Sequence, residues 1–265
     1  MVNPVVKWVG GKAKVASQIL PYMPSTYCRY LEPFVGGGSV WLAVNPQVPT
    51  ILNDLNYQLV DLYRAIQSDP QALMDAVDTL GTDVTELEYL FVRSFQPADL
   101  FRRAARTLWL NKTCFNGLWR ENRQGFFNSP WNHNPKVNPY NRENLLAFSQ
   151  RLAGVKLQDG DWREVFRDVQ EGDLVYCDPP YDPLTPTSNF TSYQSAGFTW
   201  QDQMDLYQAA KDAQARGATV LISNSSSQRI LDLYGADAQP ITARRAINCK
   251  GTGRGAVAET LLVLR

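Results

Sequence analysis

The sequence predicts an α/β protein: a doubly wound, mostly parallel sheet split by a mostly helical, basic insertion. Three observations predict it. A short strand pattern runs into a glycine turn and a helix start near residue 36. A long helical stretch without strand signals follows. Buried-strand patterns then return in the last hundred residues. The 265 residues fit one large domain, or a core carrying an insertion. With 44% hydrophobic and 20% charged residues, a sizeable buried core is within reach.

The elements read in order as follows. Tyr30 to Phe34 is the first firm strand. Gly36-Gly37-Gly38 ends it, and Ser39-Val40-Trp41-Leu42-Ala43 begins a helix. Thr50-Ile51-Leu52 is a second strand, closing on Asn53-Asp54. From Gln58 to Trp109 apolar residues recur at helical spacing: Leu59, Leu62, Tyr63 and Ile66, then Leu73, Met74 and Val77, then Leu87, Leu90 and Phe91. Residues 112 to 140 are rich in Asn, Pro, Gly and aromatics, the signature of irregular structure or a hairpin. Asp173 to Cys177 is a buried strand, Gln201 to Arg216 an amphipathic helix stopped by Gly217, and Ala218 to Ile222 and Ala258 to Leu264 are further strands. A core of residues 1–56 and 141–265 is therefore expected to carry an insertion at 57–140.

Composition removes several chemistries. The single histidine, His133, precludes a multi-histidine metal site, and a Ser-His-Asp hydrolase would have to use it. Cys28, Cys114, Cys177 and Cys249 show no C-x-x-C spacing, so free thiols in a reducing compartment are expected. No apolar run approaches membrane-spanning length, and the N-terminus lacks the basic start and apolar stretch of a signal peptide. A cytoplasmic protein that uses no membrane is expected.

The net charge is zero, but it is unevenly distributed. Between 102 and 142, Arg102, Arg103, Arg106, Lys112, Arg120, Arg123, Lys136 and Arg142 face a single acid, Glu121. Between 240 and 265, Arg244, Arg245, Lys250, Arg254 and Arg265 face only Glu259. Such a run alone reads as a solvated helix face. Here Trp109, Phe115, Trp119, Phe126, Phe127, Trp131 and Tyr140 are interleaved with it. Cations meet phosphates and rings stack on bases, so the combination favours nucleic acid, although some of these rings must be core.

Two motifs carry chemistry. At Gly36-Gly37-Gly38 the backbone admits a ligand closely. The dinucleotide fingerprint fails, because its third glycine position is Trp41. The P-loop also fails around Gly11-Lys12, because its flanking positions are Val6 and Ala13. Asp54, 18 residues after Gly36, suits a ribose diol. The turn thus fits either an adenosine ligand without pyrophosphate or a plain tight connection. The sharper motif is Asp178-Pro179-Pro180-Tyr181 at the end of an apolar strand. Its prolines remove two backbone donors, leaving rigid carbonyls between a carboxylate and a ring. An acceptor-only pocket with a stacking wall fits the amino group of a flat base. The bland alternative, a proline-rich turn, does not explain the residues on both sides.

Asp178-Pro179-Pro180-Tyr181 resembles the D-P-P-Y motif of amino-methylating DNA methyltransferases, which use S-adenosylmethionine. Leu31 to Ser39 is similar to their cofactor motif, and Lys7-Trp8-Val9-Gly10-Gly11-Lys12 resembles the K-W-x-G-G-K motif of Dam-like (D12 class, α-type) DNA adenine-N6 methyltransferases. Asn53 to Asn56, Phe115 to Arg120, Asn189-Phe190-Thr191 and Leu221 to Asn224 follow in that family's order. D-P-P-Y alone leaves adenine N6 and cytosine N4 open; the combination points to adenine.

The resemblance implies a Rossmann-like S-adenosylmethionine-dependent methyltransferase fold with a catalytic part (1–56 and 141–265) and a target-recognition part (57–140). It implies catalysis by Asp178, Pro179, Pro180 and Tyr181. Around S-adenosylmethionine it places Trp8, Gly10, Lys12, Phe34, Gly36, Gly38, Asp54, Asp161, Trp162 and Asp178. Toward double-stranded DNA it places Lys7, Phe115, Asn116, Leu118, Arg120, Pro130 and Asn189. It implies no metal. The expected reaction is methyl transfer to N6 of a flipped adenine within GATC. The runners-up are the same reaction at a different or relaxed sequence, cytosine-N4 methylation, and a DNA-binding module with a degenerate cofactor site. Residues 131 to 136 depart from the family's Tyr and basic pair. A monomer in a bacterial or phage-infected cytoplasm is expected, with a cognate restriction endonuclease as a partner where the chain serves restriction–modification.

Overall fold

The computed structural model describes residues 2–13, 15–122, 124–183, 197–244 and 256–265. Its centre is a seven-stranded sheet. The strands are β1 (Arg29–Glu32), β2 (Thr50–Asp54), β3 (Lys156–Asp159), β4 (Asp173–Cys177), β5 (Thr219–Ser225), β6 (Ala238–Arg244) and β7 (Ala256–Leu264). They lie in the order β3-β2-β1-β4-β5-β7-β6. β1 pairs in parallel with both β2 and β4, and β7 runs antiparallel between β5 and β6. The chain reverses its direction of winding between β1 and β4, which opens a crevice at their C-terminal ends.

Side-chain alternation along the strands divides the core in two. On β4, Leu174 and Tyr176 face one layer, while Val175 and Cys177 face the other. The first layer packs against α2 (Ser39–Val44), α3 (Tyr57–Ser68), α4 (Pro70–Asp78), part of α6 (Leu100–Thr113) and α7 (Arg142–Leu152). The second packs against α8 (Trp162–Arg167), α9 (Trp200–Ala215) and α10 (Gln228–Tyr234). A short α1 (Ala16–Ile19) precedes β1, and α5 (Glu86–Ser94) lies in the insertion.

Capping explains why the long helical stretch is broken. Asn56 caps α3, Asp69 caps α4 with Pro70 in its first turn, Thr85 and Glu88 form a capping box on α5, and Asp99 caps α6. The insertion is not a separate body from residue 57 onward. Leu59, Leu62, Tyr63, Leu73, Met74, Ala104 and Leu108 belong to the same cluster as Tyr30 and Leu52 of the sheet. A satellite cluster of Val84, Tyr89, Val92, Trp109, Leu110, Cys114 and Phe127 marks the part with its own core.

Two strands lie outside the sequence expectation, for a physical reason. β3 is a polar edge strand with no apolar run, and β6 is the opposite edge, where Pro240 is tolerated. β1 also ends at Glu32 rather than Phe34, because Pro33 lacks the N–H to continue the ladder.

The basic run is not one continuous face. Arg106 is buried and donates to the carbonyls of Val92 and Arg93 and to Gln58 Oε1 at 3.0, 2.6 and 3.1 Å. Arg103 pairs with Asp61 at 2.9 Å. Burial lowers the pKa of Arg106, and three acceptors stand in for a counter-ion. Arg106→Ala should destabilise the full chain by at least about 2 kcal/mol, because α5 loses its tie to α6 and buried carbonyls lose their donors. Chemical denaturation measures it; a change below about 0.5 kcal/mol would place this residue with ordinary surface substitutions.

Candidate active site

The two motifs meet because β1 and β4 are neighbours, with Leu31 opposite Val175. Each chain then leaves the sheet at the same edge. β4 is buried along its whole length and ends where Pro179 and Pro180 remove the ladder donors. Asp178 stands on the rim. Its Oδ1 lies 3.0 Å from the ammonium of Lys12, a buried side chain that also donates to the carbonyl of Gly10 at 2.8 Å. That oxygen accepts no well-angled hydrogen bond, so the ion pair with Lys12 is what holds it. Burial pushes the Asp178 carboxyl up, and Lys12 pulls it back toward the charged form.

The rest of the D-P-P-Y segment is clamped from β5 and α9. Gln203 donates to the Pro180 carbonyl at 2.9 Å and accepts from Asn224 at 2.9 Å. Asn224 also accepts from the Asp182 backbone at 3.2 Å. The Tyr181 hydroxyl donates to Glu259 of β7 at 3.0 Å, which fixes the ring. No described residue donates to the Pro179 carbonyl.

The glycine turn is equally constrained. Gly36 sits at φ +47°, and a Cβ there would lie 2.9 Å from Trp8 Cδ1. Its N–H donates to Asp54 Oδ2 at 2.9 Å, and its carbonyl accepts from Tyr63 at 2.6 Å. Asp54 Oδ1 accepts from the Asn56 N–H at 2.9 Å. Asp54 therefore ties the end of β2 to the turn and holds it open. Burial raises its pKa against these backbone donors. The neighbouring Glu32 is buried, accepts from Tyr30 at 2.6 Å, and has its pKa raised to about 8, chiefly by burial and further by the charges of Asp178 and Asp54. Gly38 follows at φ +72° as the cap of α2.

Phe34 and Trp162 pack with ring centroids 6.2 Å apart, and Phe198 meets the Phe34 ring edge-on. Asp161 caps α8, and its side chain is half exposed. The loop carrying it is tied to β2 by Gly160 N–H to the Asp54 carbonyl and by Asn53 Nδ2 to the Gly160 carbonyl, both at 3.1 Å.

The N-terminal motif links this crevice to the insertion. Trp8 stacks on Trp119 at 6.0 Å, and the Lys7 backbone exchanges two 2.8 Å hydrogen bonds with the Asn111 amide. Gly117, at φ +68°, leaves no room for a Cβ, which would fall 2.6 Å from Lys7 Cβ. Residues 114 to 131 then form a hairpin-like excursion, with bridges Cys114–Trp131 and Glu121–Phe127. Phe115 is exposed, Asn116 takes a left-handed conformation, and Leu118 is half-buried. The exposed Pro130 accepts from Phe115 N–H at 2.8 Å. Arg120 clasps Asn128 across the hairpin at 2.7 and 2.9 Å, so it shapes the element that carries it. Asn189 lies outside the described residues. Of the interleaved aromatics, Trp109 and Phe127 are core, whereas Phe115 and Phe126 are exposed. His133 is exposed beside Trp131, and Cys177 is fully buried in its strand.

A family model for D12 class N6 adenine-specific DNA methyltransferases matches residues 8–247. The chain belongs to that family. The DNA adenine methylase of Vibrio cholerae serotype O1 is 36% identical, covering 97% of this chain and 94% of that one. The Type II methyltransferase M1.LlaDCHI of Lactococcus lactis subsp. cremoris is 34% identical over 98% and 95%. The DNA adenine methylase of Escherichia coli K12 is 34% identical over 98% and 94%. The chain is thus an adenine-N6 DNA methyltransferase, and among its described residues no helix is long and apolar enough to cross a membrane.

The methyltransferase uses several residues that no spacing announced. Asn111, Gln203 and Glu259 act on the motifs from distant segments, and only the fold brings them together. Glu32 stands inside the recognised string but carries a separate consequence. Its raised folded-state pKa contributes stability that is complete below 4.5 and lost as the pH rises through about 8. The melting temperature of the wild type should therefore fall relative to Glu32→Gln between about pH 5 and about pH 8.5. Parallel melting curves across that window would remove Glu32 as a titrating group.

Proposed function

We propose that this methyltransferase moves the methyl group of S-adenosylmethionine to N6 of an adenine flipped out of duplex DNA, within GATC. The observation that carries the reading is the rim of β4. An Asp178 carboxylate oxygen that meets the Lys12 ammonium without a well-angled hydrogen bond, a Pro179 carbonyl without a described donor and a Tyr181 ring fixed by Glu259 share one segment. Asp178 and Pro179 accept the two N6 hydrogens, Pro180 holds the segment rigid, and Tyr181 stacks on the base. Adenine N6 is a poor nucleophile because its lone pair is delocalised into the ring. Accepting both hydrogens localises that pair, and the Asp178 carboxylate offsets positive charge developing on nitrogen.

The cofactor fits the residues present. When bound, S-adenosylmethionine supplies an electrophilic methyl group on a sulfonium. A cation is favoured beside Asp54 and Asp178, two carboxylates against the single Lys12, and the turn at Gly36 and Gly38 admits close approach. Trp8, Gly10, Lys12, Phe34, Asp54, Asp161, Trp162 and Asp178 complete its surroundings. Asp54 suits the ribose hydroxyls, and Phe34 suits a flat ring.

Flipping the target requires a few kcal/mol of unstacking. Phe115, half exposed at the base of the hairpin, is the ring to fill the gap. Lys7, Asn116, Leu118, Arg120 and Pro130 lie on or beside the same hairpin, and Asn189 joins them on resemblance. A bidentate arginine–guanine contact contributes about 1–3 kcal/mol of discrimination. The methyltransferase is read as a cytoplasmic monomer. The Lactococcus relative's name, a Type II methyltransferase, supports a cognate restriction endonuclease as the partner activity.

Asp178→Ala should lower methyl transfer to a plasmid by at least about 100-fold while the thermal melt stays cooperative. Labelled-methyl incorporation measures it, and near-normal turnover would remove Asp178 from catalysis. In parallel, methylated plasmid should resist a nuclease that cuts only unmethylated GATC. Incorporation without such protection would overturn the GATC assignment and leave the N6 reading intact.

A further inference from the structure

Lys12 makes two contacts that the proposed reaction reserves for the substrate. Its ammonium lies 3.0 Å from Asp178 Oδ1 and 4.6 Å from the centroid of the Tyr181 ring. The carboxylate is the acceptor assigned to the adenine amine, and the ring is the surface assigned to the base. Stacked rings sit with centroids about 4.5–7 Å apart, so an ammonium at this height occupies the layer a base would fill. Lys12 and an extruded adenine are therefore mutually exclusive occupants of the same cradle.

The backbone of Lys12 does not offer an escape. Its carbonyl accepts from Val15 and Ala16 at 2.9 and 2.8 Å and anchors the start of α1. Only the side chain can leave, and it can do so by rotating its flexible stem. Lys12 is the only ion-pair partner of Asp178 among the described residues. Stripping the ammonium from that buried carboxylate without replacement is strongly unfavourable. Departure is favourable only if a donor takes over at Asp178 and an anion receives Lys12.

We propose that Lys12 is a resident plug of the target-base pocket, imitating the adenine amino group, and that cofactor binding removes it. The proposal rests on the reading of the D-P-P-Y rim as the adenine pocket. The methionine portion of S-adenosylmethionine carries a carboxylate, which is the anion Lys12 needs. The amino group of the incoming adenine takes over at Asp178. The cofactor carboxylate stands ready to receive Lys12, and the adenine amine replaces it at Asp178 as it leaves, which orders the binding events: cofactor first, then capture of the base. It also protects the cradle from an amine when no methyl donor is at hand.

The test uses a duplex in which the adenine methylated in the plasmid assay keeps its 6-amino group and a 2-aminopurine stands next to it in the stack, since 2-aminopurine emission rises when a stacking neighbour leaves. Emission is read for the full-length enzyme at saturating DNA, with and without S-adenosylhomocysteine, so no turnover occurs. Wild-type emission should rise several-fold only with the cofactor product. In Lys12→Met, the rise should appear without it, so the ratio of the two readings falls to about 1. Asp178→Asn, which removes the counter-charge that holds Lys12, should show the same loss of dependence and serves if Lys12→Met does not fold. A wild-type ratio in either folded variant, or full extrusion by the wild type without S-adenosylhomocysteine, would overturn the plug. No rise in any protein under any condition would instead overturn the pocket reading itself.

Discussion

The parallel pairing of β1 with β4 is the constraint on which the rest depends. Each strand delivers one motif to the same sheet edge, and the winding reverses between them, so no helix covers the gap. Glycine conformations and proline rigidity matter only because this pairing brings them face to face. A register slip of one residue would turn Cys177 and Tyr176 to the wrong layers and carry Asp178 off the rim.

Electrostatics refines that geometry. Glu32, Asp54 and Asp178 crowd a low-dielectric crevice, and each is held above its ordinary pKa by burial. Backbone N–H groups temper Asp54, a tyrosine hydroxyl tempers Glu32, and Lys12 tempers Asp178. The three carboxylates thus have distinct partners and distinct freedom to act. Only Asp178 is matched by a side chain able to swing away, which makes it the one whose charge is available on demand.

The N-terminal segment couples the two halves of the molecule. Lys7 docks on α6 through Asn111, Trp8 bridges the glycine turn and Trp119 of the hairpin, and Lys12 reaches Asp178. Six residues therefore touch the hairpin, the turn and the rim at once. A displacement of the hairpin has a short, packed route to the rim of β4.

Much of this was legible in the sequence. The strand ending at Cys177, the glycine turn and the D-P-P-Y rim are local signals, fixed by hydrophobic runs, missing Cβ atoms and missing N–H groups. Local chemistry also singled out Asp178 and Tyr181, which the structure places at the rim of β4 beside Lys12 and Glu259. The polar edge strands β3 and β6 were not legible, because edge strands are defined by their neighbours rather than by apolar runs. Nor was the sorting of the basic run, in which Arg106 serves the core while Arg120 clasps Asn128. Burial and partnership belong to the packed chain, not to residue type. The sequence by itself determined the chemical groups and their order. Only the tertiary structure decided that Lys12, 166 positions from Asp178, lies against its carboxylate and the Tyr181 ring, because that contact depends on chain segments meeting across a sheet.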